Sequence, residues 1–277
     1  MLLTHEQELL RESVRAFAKE QLAPNAPTWD RENIFPKDAL KAMAEMGLFG
    51  ITVPEKYEGA GMDYLSVAVA VEEIAAGDGA CSTIISVNNS VVCGPLLAFG
   101  NEAQKEKFLK PVASGRQLGA FCLTEPHVGS DAAAIKTTAL LANGQWVLNG
   151  VKQFITSGKN ADISVVFAVT DKSAGKKGIS AFLVPTKTPG YIVARVEEKT
   201  GQRASDTAQI VLENCKAEHL LGEEGAGYRI ALANLESGRI NVAAQATGVA
   251  RAALAAALSY SRERRSMGKA LIEHQAI

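Results

Sequence analysis

The sequence predicts a multidomain protein of α and β structure: an N-terminal all-α domain, a central antiparallel β-barrel or sheet domain, and the start of a C-terminal helical bundle. Three observations predict this fold class. Residues 1–115 show helical periodicity, residues 116–221 carry short β-rich runs, and residues 222–277 begin a long alanine-rich stretch. A chain of 277 residues, 47% of them hydrophobic, is long enough to bury the cores of several such units.

The first domain is predicted from helix start signals that precede apolar-periodic stretches. Thr4 and Gln7 have the spacing of a capping box, in which each side chain bonds the backbone of the other residue. Pro36 suits the first turn of a second helix. Asp63 and Asn101 are placed to cap two later helices. The run CSTIISVNNSVVCGPLLAFG between them is apolar nearly all round and is predicted to be a buried helix.

The second domain is predicted from six β-rich runs: LGAFCL, QWVLNGVKQFIT, ISVVFAVT, GISAFLVP, YIVARV and AQIVLE. Turn residues such as Asn143-Gly144 separate them. No helical pattern of ten or more residues lies between the runs, which argues for antiparallel pairing and against a βαβ unit. From Gly225 onwards the chain is predicted to be helical again, as one helix of a bundle.

Composition and charge exclude several classes of function. The net charge of −1 gives no general attraction to nucleic acid or to an anionic membrane. No uninterrupted apolar run approaches 18 residues, so no membrane span is expected. The first 20 residues lack the basic and apolar regions of a secretory signal. The four cysteines are scattered, which predicts free, mostly buried thiols in a reducing compartment.

The usual motifs for nucleotides, metals and nucleophilic catalysis are missing from the sequence. There is no P-loop, no G-x-G-x-x-G and no G-x-S-x-G. The glycine-rich segment 222–227 contains two acidic residues that would repel a phosphate, so we interpret it as a turn before a helix. The four histidines lack the spacing of metal ligands, and no metal is expected.

Two polar segments at the ends of β-runs are candidates for a ligand site. The first is CLTEPHVGSD, residues 122–131, with the hydroxyls of Thr124 and Ser130. The second is KQFITSG, residues 152–158, with Phe154 and Thr156. Hydroxyls beside backbone N–H groups and an aromatic face suit a large, flat, partly polar ligand. The same residues are also typical of simple turns.

A basic cluster follows the long helical stretch, with Arg262, Arg264 and Arg265 ahead of Lys269. Basic residues are common at a helix C-terminus because the helix dipole is negative there. The alternative is binding of a pyrophosphate, including one held by a neighbouring subunit.

Together these segments resemble the acyl-CoA dehydrogenases, and the resemblance runs from residue 1 to 277. The segment MGLFGITVPEKYEGAGMDY is similar to the family's N-terminal signature. CLTEPHVGSDAAAIKTTA and NGVKQFITSG are similar to its flavin-binding β domain, and RRSMGKALIEHQAI is similar to the bundle segment that reaches a neighbour's FAD. SVNNS and ISAFLVP are most like the short-chain, butyryl-type members.

The resemblance implies an FAD cofactor and assigns site residues. Phe154 would cover the flavin ring, Thr156 would bond near N5, Thr124 would contact FAD, and Ser130 would contact both FAD and the CoA thioester. Glu236 and Arg239 would contact the substrate. The full set implied for FAD is Phe121, Cys122, Leu123, Thr124, Gly129, Ser130, Phe154, Ile155, Thr156, Arg264, Ser266, His274 and Gln275, the last four reaching across a dimer interface. Phe154 replaces the family's Trp at that position.

The implied reaction is α,β-dehydrogenation of an acyl-CoA in fatty acid β-oxidation, with electrons passed to an electron-transferring flavoprotein. A carboxylate would take the α-proton. The family's usual catalytic Glu would lie beyond residue 277, and Gly238 occupies the alternative helical position that some members use. Glu236 is about 200° round the helix from Gly238, so it is not a substitute. We therefore expect no catalytic base within the chain.

Two other functions remain open at this point. One is an acyl-CoA oxidase, which keeps the fold and passes electrons to oxygen. The other is an inactive chain that binds FAD or CoA or only assembles with partners. The resemblance also implies a homotetramer, a dimer of dimers, located in the bacterial cytoplasm or the mitochondrial matrix, of which we prefer the former.

Overall fold

The computed structural model describes residues 2–277 and begins with a layer of helices. Three of these helices continue through π-helical turns, at Ala18–Leu22, Asn88–Cys93 and Lys105–Leu109. The helices are α1 His5–Phe17, α2 Ala26–Glu32, α3 Lys37–Glu45, α4 Tyr64–Gly77, α5 Gly79–Val87, α6 Gly94–Phe99, α7 Glu102–Gln104 and α8 Lys110–Ala113.

The predicted helix starts are confirmed by the caps. The Thr4 hydroxyl accepts from the Gln7 N–H at 3.2 Å, and the Gln7 side chain accepts from the Thr4 N–H at 3.0 Å, which completes the capping box. Asp63 caps α4 through the Ser66 N–H. Asn101 caps α7 in a second capping box. Pro36 stands immediately before α3 rather than inside its first turn.

The buried helix predicted from CSTIISVNNS is also present, and its asparagines serve as backbone ties. Asn89 donates to the Leu48 carbonyl at 2.8 Å and accepts from the Ile51 N–H at 2.8 Å. Asn88 donates to the Phe49 carbonyl at 2.9 Å. These bonds hold the π-helical turn Asn88–Cys93 against the preceding loop, which fixes one wall of the cleft described below.

The central domain is an eight-stranded sheet that is mostly antiparallel. The order β6-β7-β3-β2-β4-β5-β8 runs along it, and β1 pairs with β4 off this path. The strands are β1 Gly119–Cys122, β2 Thr138–Ala142, β3 Gln145–Thr156, β4 Ile163–Val169, β5 Ile179–Pro185, β6 Tyr191–Val196, β7 Thr207–Lys216 and β8 His219–Leu221.

The sheet is mostly antiparallel, as the prediction of an antiparallel sheet or barrel requires, but two of its pairings are parallel. β4 is parallel to β1 along its first half and to β2 at Thr138 and Val169. The crossovers between these strands lie outside the β-rich runs, so periodicity alone does not show their direction. The sequence also missed β2 and β8, which are short.

Alternate residues of β4 enter two separate hydrophobic clusters. Val166 and Ala168 join one cluster, and Val165 and Phe167 join the other. A strand buried on both faces shows a continuous apolar run rather than alternation, as ISVVFAV does. The sheet is therefore covered on both faces at its centre, next to the cleft.

The long helix α9, Gly227–Glu263, packs across α4, α5 and the Asn88–Cys93 turn. By length and composition alone, α9 and the combined helix Gly79–Phe99 are each sufficient to cross a membrane. One or two such helices are weak support for a membrane segment, and Gly79–Phe99 is mostly buried as a core helix. Two short strands follow α9, β9 Arg265–Ser266 and β10 Lys269–Ala270.

Two glycines on α9 are expected to respond oppositely to alanine. A Cβ on Gly248 would lie 2.1 Å from the Glu72 carbonyl, so Gly248→Ala must push α9 away from α4. A Cβ on Gly238 would meet nothing closer than 3.7 Å. We expect Gly248→Ala to lower the free energy of unfolding by about 1–3 kcal/mol and Gly238→Ala to raise it by about 0.5–1 kcal/mol. Chemical denaturation measures both, and equal effects would contradict the close crossing.

Candidate active site

A cleft lies where the ends of β1 and β3 meet α5, its π-helical extension and α9. Its volume is about 820 Å³ and its lining is mainly apolar. Of the residues predicted for the site, those that line it are Phe121, Leu123, Thr124, Gly129, Ser130, Phe154, Ile155, Thr156 and Arg239. The two candidate segments of the sequence therefore meet at one site.

Phe154 has the conformation expected of a residue turned toward a ligand. Its side chain is 63% exposed and its φ is +58°, a left-handed conformation that is unfavourable for an aromatic residue. The β3–β7 register shifts between Lys152 and Ile155, so a bulge at this point turns the ring out of the sheet. Strained residues of this kind cluster at ligand sites.

Thr124, Ser130 and Thr156 bring three side-chain hydroxyls to the same cleft as the Phe154 ring. A site for a flat, partly polar ring system needs an exposed aromatic side chain and a few hydrogen-bonding groups. The isoalloxazine of a flavin is a ring system of this kind. The residues present therefore fit a flavin.

Cys122 lies on the opposite side of β1 from the cleft. Strand alternation turns its thiol into the sheet interior, where it is fully buried. Burial raises the pKa of Cys122 to about 11, so the thiol is neutral and is not a nucleophile. Only its main chain remains available to a ligand in the cleft. All four cysteines are free and buried, as predicted.

Helix α9 presents one stripe of residues to the cleft, formed by Leu232, Leu235, Arg239 and Val242 with Gly238 beside them. This spacing is one face of a helix. Glu236 is exposed and is not part of the lining, so the structure does not bring it together with Arg239 in the cleft.

The four residues predicted to cross a dimer interface lie in the segment after α9. His274 and Ser266 are neighbours, with His274 Nε2 3.2 Å from the Ser266 carbonyl oxygen. Arg264 ends α9 as its C-cap, and Gln275 is exposed. None of the four lines the cleft within residues 2–277, and their proposed role needs a second subunit.

A wall of the cleft that site prediction missed is formed by Ser86, Val87, Ser90 and Val91. The sequence showed these residues only as a buried helix with a short-chain-like motif. Ser90 and Val91 belong to the π-helical turn Asn88–Cys93, and π-bulges occur frequently at functional sites, but the sequence carries no signal for this turn. The part of the chain from residue 2 to 277 contains no cluster of potential metal ligands.

Family models for the three domains of acyl-CoA dehydrogenases match nearly the whole chain. The N-terminal domain model matches residues 4–116, the middle domain model 120–215 and the C-terminal domain model 225–277. The chain belongs to the acyl-CoA dehydrogenase family. Our division at residues 115 and 221 remains a proposal.

Two relatives show the strength of this similarity. An acyl-CoA dehydrogenase of Bacillus subtilis is 46% identical over 279 residues, covering 100% of this chain and 74% of the relative. The mitochondrial short-chain specific acyl-CoA dehydrogenase of Rattus norvegicus is 46% identical over 272 residues, covering 98% of this chain and 66% of the relative. Members of the family therefore occur in bacteria and in mitochondria, and the chain spans two thirds to three quarters of their length.

Solved structures of acyl-CoA dehydrogenases share the fold. Butyryl-CoA dehydrogenase from Megasphaera elsdenii superposes with a TM-score of 0.96 at 42% identity, covering 100% of this chain and 74% of that one. A glutaryl-CoA dehydrogenase from Mycobacterium smegmatis in complex with FADH2 has a TM-score of 0.92 at 32% identity, covering 99% and 70%. FAD is the cofactor of these acyl-CoA dehydrogenases, and the predicted flavin cofactor is thereby confirmed for the family.

Proposed function

We propose that these residues form the flavin and substrate site of an enzyme that dehydrogenates a short-chain acyl-CoA to the 2-enoyl-CoA and passes the electrons to an electron-transferring flavoprotein, with the catalytic base supplied from outside the 277 residues. The observation that carries the proposal is the cleft itself. It joins the exposed Phe154 ring and the hydroxyls of Thr124, Ser130 and Thr156 to the small side chains of Ser86 and Ser90.

FAD, when bound, supplies the acceptor for the hydride that leaves the β-carbon. The chain's own residues orient the reactants. Phe154 would cover one side of the flavin, and Thr156 and Thr124 would offer their hydroxyls to its edge. Ser130, at the mouth of the cleft, lies where it can bond the flavin or the thioester. Arg239 offers its cation to the CoA portion of the substrate.

The short-chain preference is proposed from one wall of the cleft. Ser86, Val87 and Ser90 belong to SVNNS, the segment that is similar to butyryl-type members, and they line the cleft together with the next residue, Val91. The other similar segment forms β5 and does not line it. The similarity to a short-chain specific relative supports the same substrate class.

The base that removes the α-proton is proposed to lie outside the 277 residues. Within residues 2–277, no Asp or Glu belongs to the lining of the cleft, and Gly238 faces it without a functional group. An acidic α-proton next to a polarised thioester still needs an acceptor. We further propose the homotetramer and the cytoplasmic location that the resemblance implies.

A visible spectrum followed by anaerobic butyryl-CoA tests the proposal. We expect the purified chain to hold flavin and butyryl-CoA to leave the absorbance unbleached, because the cleft has no carboxylate. Loss of flavin on purification would contradict cofactor binding by this cleft. Bleaching would contradict the missing base. Rapid reoxidation by oxygen after chemical reduction would favour the oxidase alternative.

Replacement of Phe154 is expected to separate stability from cofactor binding. Phe154→Gly removes a left-handed aromatic residue whose conformation costs about 1–2 kcal/mol. We expect apo-chain stability to be unchanged or slightly higher, while FAD binding weakens by about tenfold through loss of the ring. Phe154→Ala is the control, since it loses the ring and keeps most of the strain. Denaturation and FAD fluorescence titration measure the two effects; parallel losses in both would contradict the assignment.

A further inference from the structure

A fully buried lysine lies directly behind the cleft and has no part in the proposed reaction. Lys152 on β3 is 0% exposed. Its Nζ donates to Glu125 Oε1 at 2.9 Å and to the Leu123 carbonyl at 3.1 Å. Glu125 is itself buried, with 3% of its surface exposed. The two charges are therefore paired inside the sheet domain, away from water.

Glu125 also holds the far end of the loop that carries Thr124 and Ser130. Its Oε2 accepts from the Lys136 N–H at 2.7 Å, and its Oε1 accepts from the Thr137 N–H at 2.9 Å. The Glu125 backbone forms two bonds of 3.0 Å with Val128. One carboxylate thus closes the loop from residue 125 to residue 137.

The loop is joined to β3 at consecutive residues on both sides. Leu123 and Glu125 contact Lys152, and between them the Thr124 carbonyl accepts from the Gln153 N–H at 2.8 Å. Phe154 follows immediately on β3. The bonds that join the two flavin-contacting segments are therefore made by residues that line the cleft or lie next to residues that line it.

Burial and the ion pair have opposite effects on the pKa values of both groups. Burial alone would raise the pKa of Glu125, but the Lys152 charge and the two backbone N–H donors hold it below its usual value. Burial lowers the pKa of Lys152, and Glu125 opposes that shift. Other titratable groups nearby are His127, with Nε2 3.7 Å from Glu125 Oε2, and the buried thiol of Cys122, which faces Lys152. A buried ion pair adds little net stability compared with apolar residues of similar volume. Stability alone therefore does not explain why this position holds a charged pair with directional bonds.

We propose that Lys152 and Glu125 are positioning residues of the flavin site. They hold the Leu123–Ser130 loop and the Phe154–Thr156 segment in one fixed arrangement without touching the ligand. The expected effect on flavin binding rests on the proposed function. The arrangement of the two segments is a property of the chain without cofactor. In metal sites, residues that orient the ligand-contacting groups typically change affinity or activity by about 10–100-fold when replaced, and we expect an effect at the lower end of that range here.

Hydrogen exchange on the apo chain tests the positioning directly. Lys152→Met, which keeps the volume and removes the cation, is expected to speed amide exchange about tenfold or more in residues 121–137 and 152–157. Exchange in α1 and α4 should not change. Glu73→Gln is the matched control, since Glu73 forms a buried ion pair with Arg15 and Arg251 far from this loop. Unchanged exchange in the two segments, or a uniform increase along the chain, would overturn the proposal.

The FAD dissociation constant and the reduction potential of the bound flavin give the second readout. The double variant Lys152→Met with Glu125→Gln removes both charges, so it protects against misfolding from an unpaired buried carboxylate. We expect it to unfold near the wild-type midpoint but to bind FAD about tenfold more weakly, with a shifted potential. Wild-type affinity and potential in this variant would refute positioning. A wild-type chain without FAD affinity would count against the proposed function, while hydrogen exchange would still decide the role of the pair.

Discussion

A Gly238→Glu variant is expected to let butyryl-CoA reduce bound flavin about 100-fold faster than the unmodified chain, the scale of a general base. Gly238 lines the cleft, and a Cβ at this position would have Ser90 Oγ as its nearest neighbour, at 3.7 Å. A glutamate side chain therefore has room to extend into the cleft. The resemblance places the alternative base of some family members at this helical position.

The control for this variant is Gly238→Gln, which has the same shape but cannot accept the α-proton. Both substitutions remove a glycine from α9, so both should stabilise the helix slightly. Anaerobic stopped-flow absorbance of the flavin measures the rates. Equal rates for the two variants would show that a carboxylate at residue 238 does not reach the substrate. Fast reduction in the unmodified chain would show that another base is present.

Replacing both arginines that pair with Glu73 is expected to reverse the contribution of Glu73 to the pH dependence of stability. Glu73 is 2% exposed and accepts paired bonds from Arg15 at 2.7 and 3.0 Å and from Arg251 at 2.7 and 2.9 Å. These bonds join α1, α4 and α9. Although burial opposes ionisation, the two arginines hold the pKa of Glu73 below its usual value.

The direction in which stability changes with pH follows from the linkage between proton binding and folding. In the unmodified chain the folded pKa is depressed, so Glu73 stabilises the fold above the ordinary carboxyl pKa of about 4. This contribution is lost as the pH falls through the lower folded pKa. With Arg15→Met and Arg251→Met, burial is the main remaining influence and raises that pKa. The charged residue then destabilises the fold at neutral pH, and acid relieves the penalty.

We expect the double arginine variant to lose about 3–5 kcal/mol of unfolding free energy at pH 7, as for a buried charge that loses its partner. The loss should shrink toward pH 5. Glu73→Gln, which cannot titrate, should lose stability by an amount that stays constant between pH 5 and pH 8, because Glu73 of the unmodified chain is ionised throughout this range. Urea denaturation between pH 5 and 8 provides the measurement. A loss that does not vary with pH would mean that Glu73 becomes hydrated instead of remaining a buried charge.

Local sequence signals predict much of the fold. The caps at Thr4, Asp63 and Asn101 were predictable because each is a short-range bond between a side chain and a backbone three residues away. The strand β3 and the turn at Asn143-Gly144 were predictable for the same reason. The two parallel pairings of β4 were not, because strand direction depends on how the connecting segments cross the sheet.

The candidate site was predictable only in part. Thr124, Ser130, Phe154 and Thr156 were selected as polar and aromatic residues at strand ends, and the resemblance gave them roles. The wall formed by Ser86 and Ser90 was not selected, because two serines in a buried helix have no distinctive spacing. Glu236 and Arg239 are neighbours on the surface of α9, so the sequence did not show that only Arg239 would line the cleft.

By itself, the sequence determined the three-part α, β, α order, the helix caps, the buried free thiols and the family, because each depends on local chemistry or on recurring motifs. The tertiary structure decided which of those residues share a cleft and which way Phe154 points. It also decided that Lys152 and Glu125, 27 residues apart, meet as a buried pair. Such meetings depend on strand register and helix crossing, in which distant backbone segments compete for the same space.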